Sequence, residues 1–276
     1  MIRFIFFLFF FSYATFATAQ FLKGKSVLLY TKNGKGYVHD NIPSATKCFD
    51  SLSHTLGFKL IKSMDATVFT NEQLQKADLV VFASTNNDVF DTDAQRLAFR
   101  HFFEAGGKAL AIHSAIGTER NWTWFKQMLG GTFAWHPHFQ AFDLVKVQTQ
   151  HPTLKHLPAI WTKQDECYFN KDLWPGVECV LAADLKSLHM DSTETVKFNL
   201  NRGTFGDYYP ISWIHRFDGG LMYFTSLGHD SKDYQGGIFV DYIVDAMNFL
   251  LSTPVKLDYK KAYATGRDEV VKNLKK

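Results

Sequence analysis

The sequence predicts an α/β fold, a doubly wound and mainly parallel sheet with helices on both faces. Short apolar runs alternate with helical patterns through the first half of the chain, and the connections between them are short. Polar residues, histidines above all, follow directly on several of the apolar runs, where sheets of this kind bind their ligands.

The elements follow in order. Ser26–Tyr30 is a short apolar strand, and residues 45–56 carry apolar residues at helical spacing with Gly57 as a stop. A second strand is expected at 59–62. Thr70 and Gln73 form a capping-box pattern that opens a short helix, and residues 78–83 read as a buried strand. Thr92 and Gln95 are a second such box, opening a helix through Leu97, Phe99, Phe102 and Phe103 that Gly106 and Gly107 close. Residues 109–112 are the next strand. In the second half, strands are expected at 142–147, 177–182, 211–215 and 221–225, and a helix at 238–251.

The chain ends differ from the middle. Arg3, the apolar run 4–11 and the small residues ending at Ala19 have the three parts of a secretory signal, so residues 1–19 are expected to be a signal peptide and the mature protein exported, to a periplasm or the outside. The run is shorter than the roughly 20 residues that a membrane span needs. One α/β domain is expected over 20–252, and 253–276 is a polar, basic tail expected to be solvated.

Of the 276 residues, 46% are hydrophobic and 21% charged, with a formal net charge of +3. This composition excludes disorder and coiled coil and gives no electrostatic footprint for nucleic acid. Cys48, Cys167 and Cys179 are too few for a disulfide scaffold and form no metal-binding pair; packing is their expected role.

The chemistry is expected at strand ends. His113, which ends the run after Gly106-Gly107, can act as base, acid or metal ligand, with Ser114 beside it a weaker candidate. His39 and His229 also follow predicted strands, so the three imidazoles could converge on a divalent metal such as zinc. His136, followed by Pro137 and His138, is a further inward-pointing candidate, and His113, His136 and His229 are taken as the ligand set. Asp165 and Glu166 precede Cys167 and Tyr168; in an extended chain Asp165 and Cys167 face one way, Glu166 and Tyr168 the other. Neighbouring carboxylates can divide acid and base roles. His113, Glu166, Tyr168 and His229 are therefore the candidate catalytic residues. His39, His136, Asp165 and Trp213 are the candidate substrate-binding residues, Trp213 either as a stacking face for a sugar or as core.

These motifs in this order resemble the ThuA-like family, named for trehalose utilisation. The resemblance rests on Tyr37, His39 and Asp40; on Gly106-Gly107 with Ile112-His113; on Gly130 with His136-Pro137; on His151-Pro152 and Leu157-Pro158; on Asp165, Glu166 and Tyr168; on Pro210 with Trp213; and on Phe224 through His229, with Phe224 in place of Tyr. Residues 216–220 depart from the pattern at a turn before a late strand. The resemblance implies a class I glutamine amidotransferase-like (flavodoxin-like) fold that lacks the nucleophilic Cys, His113 standing in its place. It implies a small-molecule carbohydrate as partner, a disaccharide or its 3-keto derivative, and His39, His113, His136, Glu166, Tyr168, Trp213 and His229 in the cleft. An acid–base enzyme, metal-assisted, is the favoured reading; a non-catalytic sugar-binding protein using Trp135, Tyr168 and Trp213 as stacking faces is the alternative.

Overall fold

The computed structural model describes residues 21–252 and 256–272. The expected signal peptide lies outside the described residues. One sheet organises the molecule. Strands β1 (Ser26–Tyr30), β2 (Lys59–Ser63), β3 (Leu79–Ala83) and β4 (Lys108–Ile112) alternate with helices α1 (Ile42–Leu56), α2 (Asn71–Leu74) and α3 (Asp93–Glu104). Both N-caps lie where the sequence puts them: the Thr70 side chain accepts from Gln73 N without the reciprocal half of the box, and Thr92 and Gln95 cap α3 reciprocally. Helix α1 begins earlier than expected because Pro43, fixed near a helical φ, is accommodated in its first turn.

Beyond β4 come α4 (Thr123–Leu129), β5 (Thr132–Trp135), β6 (Gln140–Lys146), β7 (Ile160–Asp165), β8 (Phe169–Lys171), β9 (Glu178–Asp184), α5 (Ser192–Asn201), β10 (Tyr208–Phe217), β11 (Gly220–Thr225) and α6 (Ile238–Ser252). The nine-stranded sheet has the order β2-β1-β3-β4-β11-β10-β9-β6-β7, with β5 and β8 paired separately. Pairings from β2 through β11 are parallel and those from β11 to β7 antiparallel, so every strand except β6 and β10 points the same way.

The sheet has a core on each face, as its run of fully buried central strands requires. On one face Val27, Leu29, Val81, Leu110 and Ile112 pack with Phe49 of α1 and Tyr242, Ile243 and Leu250 of α6. On the other Leu28, Tyr30, Val80, Phe82 and Ala111 pack with Phe99 and Phe102 of α3 and Phe125 of α4. The three cysteines are free and packed as expected, Cys48 and Cys167 fully inside.

The solvated tail is corrected for residues 256–272, which dock across α3. Arg100, wholly buried, donates to the carbonyls of Arg267 and Glu269 at 3.0 and 2.6 Å. Glu104 accepts from the backbone N–H groups of Tyr263 and Ala264, and the Tyr263 hydroxyl donates to Asp218 at 2.9 Å. The segment is polar because its partners are buried charges rather than an apolar groove.

Candidate active site

The strand directions decide where the polar residues meet. His39 lies in the loop after β1, His113 after β4, Glu166 after β7 and His229 after β11, and all four strands point the same way. Their carboxyl ends therefore share one edge of the sheet, the edge at which α/β sheets hold ligands. One nitrogen or oxygen from each of His39, His113, Glu166 and His229 lies within 4.8 Å of the others.

His113 is held by its backbone and by one hydrogen bond. Its φ is +56°, a left-handed conformation that turns the chain sharply out of β4. Its Nδ1 lies 2.8 Å from the Ser226 carbonyl oxygen, which can only accept, so Nδ1 carries the proton and the Nε2 lone pair faces the cluster. There the Tyr168 hydroxyl donates to it at 3.0 Å, and Glu166 Oε2 stands 3.6 Å away. Glu166 Oε2 is also 3.1 Å from His229 Nδ1, while Oε1 faces His136 Nε2 at 3.5 Å. The rings of His39 and His113 meet edge-on with centroids 4.5 Å apart.

Burial and neighbours set the charges. Burial drives His113 well below the usual imidazole range, with His39 adding repulsion. Burial and the nearby His229 bring His39 down to about 4. His229 goes the other way, raised chiefly by its hydrogen bond to Glu166. Burial pushes Glu166 up, but the His229 bond and the surrounding imidazoles outweigh it and hold the carboxyl below its ordinary value. Burial, reinforced by Glu166 and Asp165, keeps the Tyr168 phenol protonated far above its usual range. The result is two neutral imidazoles and one carboxylate converging from separate loops.

A divalent metal fits this donor set. His39 Nδ1 is buried with no hydrogen-bond partner, and His113 is fixed in the tautomer that presents a lone pair, as metal-ligating histidines usually are. Three imidazoles and a carboxylate are zinc-type ligands. The group that could hold an ion differs from the expected ligand set: among the described residues it includes His39 and Glu166 and not His136. His136 reaches only Glu166 and stacks on Tyr168, because its Nδ1 is tied to the Pro137 carbonyl oxygen at 2.7 Å.

Two expected substrate contacts are also corrected. Trp213 is fully buried, donates its Nε1–H to the Leu129 carbonyl oxygen at 2.8 Å and packs on Phe224, so it presents no face to a sugar. Asp165 is fully buried too and works behind the site. Its Oδ2 accepts from Gly228 N at 2.8 Å, and its Oδ1 accepts from Glu166 N at 2.8 Å and His229 N at 3.3 Å. It thus orients the two residues that meet across the cluster. The expected alternation places Glu166 and Tyr168 in the cluster and Asp165 and Cys167 on the opposite side.

The sequence reasoning passed over Lys163 and Asp233. Lys163 Nζ lies 3.0 Å from Asp165 and 2.7 Å from Asp233 and makes the buried carboxylate tolerable. A lysine two residues before Asp165 in an alternating strand was the available signal.

Fold and site together define an α/β protein with a histidine–carboxylate cluster at the carboxyl edge of its sheet. The ThuA family, described as trehalose utilisation, matches residues 26–250, and the chain belongs to that family. Two similar crystal structures are ThuA-like proteins. One, from Bacteroides uniformis, shares 23% identity at a TM-score of 0.67 and covers 83% of this chain and 92% of its own. The other, from Parabacteroides merdae, shares 16% at 0.64 and covers 86% and 93%. A cytoplasmic protein from Salmonella typhimurium, 12% identical, gives 0.54 over 82% of this chain and 98% of its own. At such identities these likenesses speak for the fold alone. No curated protein matches the sequence. No helix among the described residues is long and apolar enough to cross a membrane.

Proposed function

We propose that the protein is an exported carbohydrate-active enzyme that acts on a disaccharide, a glycoside or a 3-keto derivative of one, by acid–base chemistry beside a divalent metal. The observation that carries the proposal is the convergence of His39, His113, Glu166 and His229 at the carboxyl edge of the sheet, with Tyr168 and His136 against it. Plain sugar binding does not need four buried or half-buried ionisable groups, and burial of Trp213 removes one of the stacking faces such a protein would use.

His39, His113 and His229 would hold the ion, with Glu166 left free beside them, and its contribution when bound is to polarise a carbonyl oxygen. The protein's own groups handle the protons. A 3-keto group acidifies the neighbouring C–H bonds, and Glu166, kept ionised, is the base that can take such a proton. Its Oε1 faces His136 Nε2 at 3.5 Å with His136 Nδ1 already donating to a carbonyl, so a proton taken up by Glu166 can be shared with His136. Tyr168, held protonated by burial, is the donor to a leaving oxygen.

The test is turnover of 3-keto-trehalose and of trehalose by the purified protein, with its metal content measured in parallel. The expected result is turnover of the keto sugar, lost in Glu166→Gln, and close to one divalent ion per chain, lost in His113→Ala. Metal-free protein that is fully active would remove the metal. Turnover unchanged in Glu166→Gln would remove the base.

A further inference from the structure

Arg120 follows the turn that leaves β4 and precedes α4. It is partly buried beside the site. Its guanidinium sits over the Phe133 ring at 5.6 Å, and Phe133 in turn packs on Tyr168 with centroids 4.6 Å apart. Its Nη1 donates to the Phe133 carbonyl oxygen and its Nη2 to Asn86 Oδ1, both at 3.3 Å. Asn86 donates from its Nδ2 to the Tyr37 carbonyl oxygen at 3.3 Å, and the Tyr37 ring stands edge-on to His39 at 4.8 Å. Arg120 therefore bridges the two walls of the cleft, the Tyr37–His39 side and the Phe133–Tyr168 side.

Among the described residues it has no counter-charge. The other arginines withdrawn into this half of the molecule are paired: Arg96 with Glu119 and Asp93, and Arg100 with Glu104 and Asp218. Among the described residues no carboxylate pairs with Arg120, and its acceptors are two neutral oxygens at the long end of the hydrogen-bond range. Burial disfavours its charge. A guanidinium does not deprotonate in proteins, so the molecule carries a half-desolvated cation. Nε–H and one hydrogen on each Nη remain to be satisfied, a planar fork that matches an oxyanion.

We propose that Arg120 is the anion-recognising subsite of the cleft, and that among carbohydrates the protein prefers one bearing a carboxylate or phosphate group. The sugar half of this statement rests on the carbohydrate reading above; the anion half rests on Arg120 alone. Tyr37, 64% exposed at the mouth, offers the aromatic face against which the ring of such a sugar would lie. Arg120 is a specificity residue in this scheme and takes no part in proton transfer.

Calorimetry on the full protein decides the matter, with methyl glucuronide, glucose 6-phosphate, methyl glucoside and inorganic phosphate as probes. The glucuronide or the sugar phosphate is expected to bind at least about tenfold more tightly than the neutral glucoside, as a charge-assisted pair in a partly dry site should. Arg120→Gln should abolish that preference, and Arg120→Lys should retain part of it, since it keeps the charge and loses the fork. Thermal unfolding of both variants close to the parent would show that the loss is local. Equal affinity for glucuronide and glucoside, no binding of either anion, or an undiminished preference in Arg120→Gln overturns the proposal. Inorganic phosphate binding as tightly as glucose 6-phosphate would overturn its sugar half. None of these measurements needs turnover, so a protein that prefers anions yet leaves keto sugars untouched would sink the carbohydrate enzyme and not the subsite.

Discussion

Asp165→Asn is the substitution for which the structure gives the clearest magnitude. It preserves shape and removes one charge from a site where Asp165 is fully buried. Both oxygens are used: Oδ2 by Gly228 N and Lys163 Nζ, Oδ1 by Glu166 N and His229 N. Whichever way the new amide is turned, its NH2 confronts two donors. Leaving donors unsatisfied costs about 1–3 kcal/mol each, and removing one member of a buried ion pair about 3–5 kcal/mol. The two figures describe the same loss and do not add. Asp233 stays on Lys163 at 2.7 Å, so the lower end applies and about 3 kcal/mol of destabilisation is expected. Equilibrium urea unfolding should show a lower midpoint at unchanged slope, and the melting temperature should fall by about 6–12 °C for a chain of this size. Because the lost bonds hold Gly228, His229 and Glu166, divalent-metal affinity should fall as well. Lys163→Met added to Asp165→Asn should lower the stability further, because it leaves Asp233 without its cation. A midpoint within about 0.5 kcal/mol of the parent would refute the reasoning, since ordinary surface changes lie in that range.

Three further outcomes are expected. Removing residues 256–276 strips the carbonyls and N–H groups that satisfy Arg100 and Glu104, and should lower the melting temperature by at least about 5 °C in a thermal scan; an unchanged scan would show the docked segment to be dispensable. Gly228→Ala places a Cβ at φ +109° and 2.8 Å from both Phe239 and the Tyr234 hydroxyl. It should cost about 2–4 kcal/mol in urea unfolding, and a loss under about 1 kcal/mol would mean the loop yields freely. In protein stripped of divalent ions by chelator, His39 is depressed to about 4 against an unfolded value near 6.5, so the unfolded chain binds more protons in between. Stability is then full above about pH 6.5 and is lost as pH falls toward 4. Urea midpoints across that range should show a shallower fall in His39→Gln, and an identical fall would locate the acid sensitivity elsewhere.

The parallel half of the fold was legible because its signals are local. β3 and β4 are continuous apolar runs since both their faces are covered, and α3 has a reciprocal cap written in four residues. The antiparallel half was less so. β7 buries every other residue, and one of those is a lysine whose partners lie 2 and 70 residues away in sequence. Helix α5 buries only Phe198, so its apolar pattern is faint. Trp213 was misplaced because β10 is covered on both faces, which the mixed residues around it do not announce. In the site, strand-end placement was enough to single out His39, His113 and His229, and alternation was enough to separate Glu166 from Asp165. That His39 rather than His136 joins the cluster was beyond it, because His136 Nδ1 is tied to the Pro137 carbonyl oxygen.

The position of β11 bears on how the molecule can be made. It is the last strand among the described residues, yet it lies in the middle of the sheet, pairing with β4 on one side and β10 on the other. Until it inserts, β4 is an unpaired edge of apolar residues, and the antiparallel strands have nothing to attach to. The contact that closes the cluster, from His113 to the Ser226 carbonyl, spans 113 residues. Such long loops close slowly, because the entropy is lost before any contact compensates. A chain halted before residue 220 would lack β11 and His229 and would expose the apolar edge of β4 to its neighbours. A refolding rate measured by recovery of metal binding is therefore expected to follow the slowest phase seen by tryptophan fluorescence.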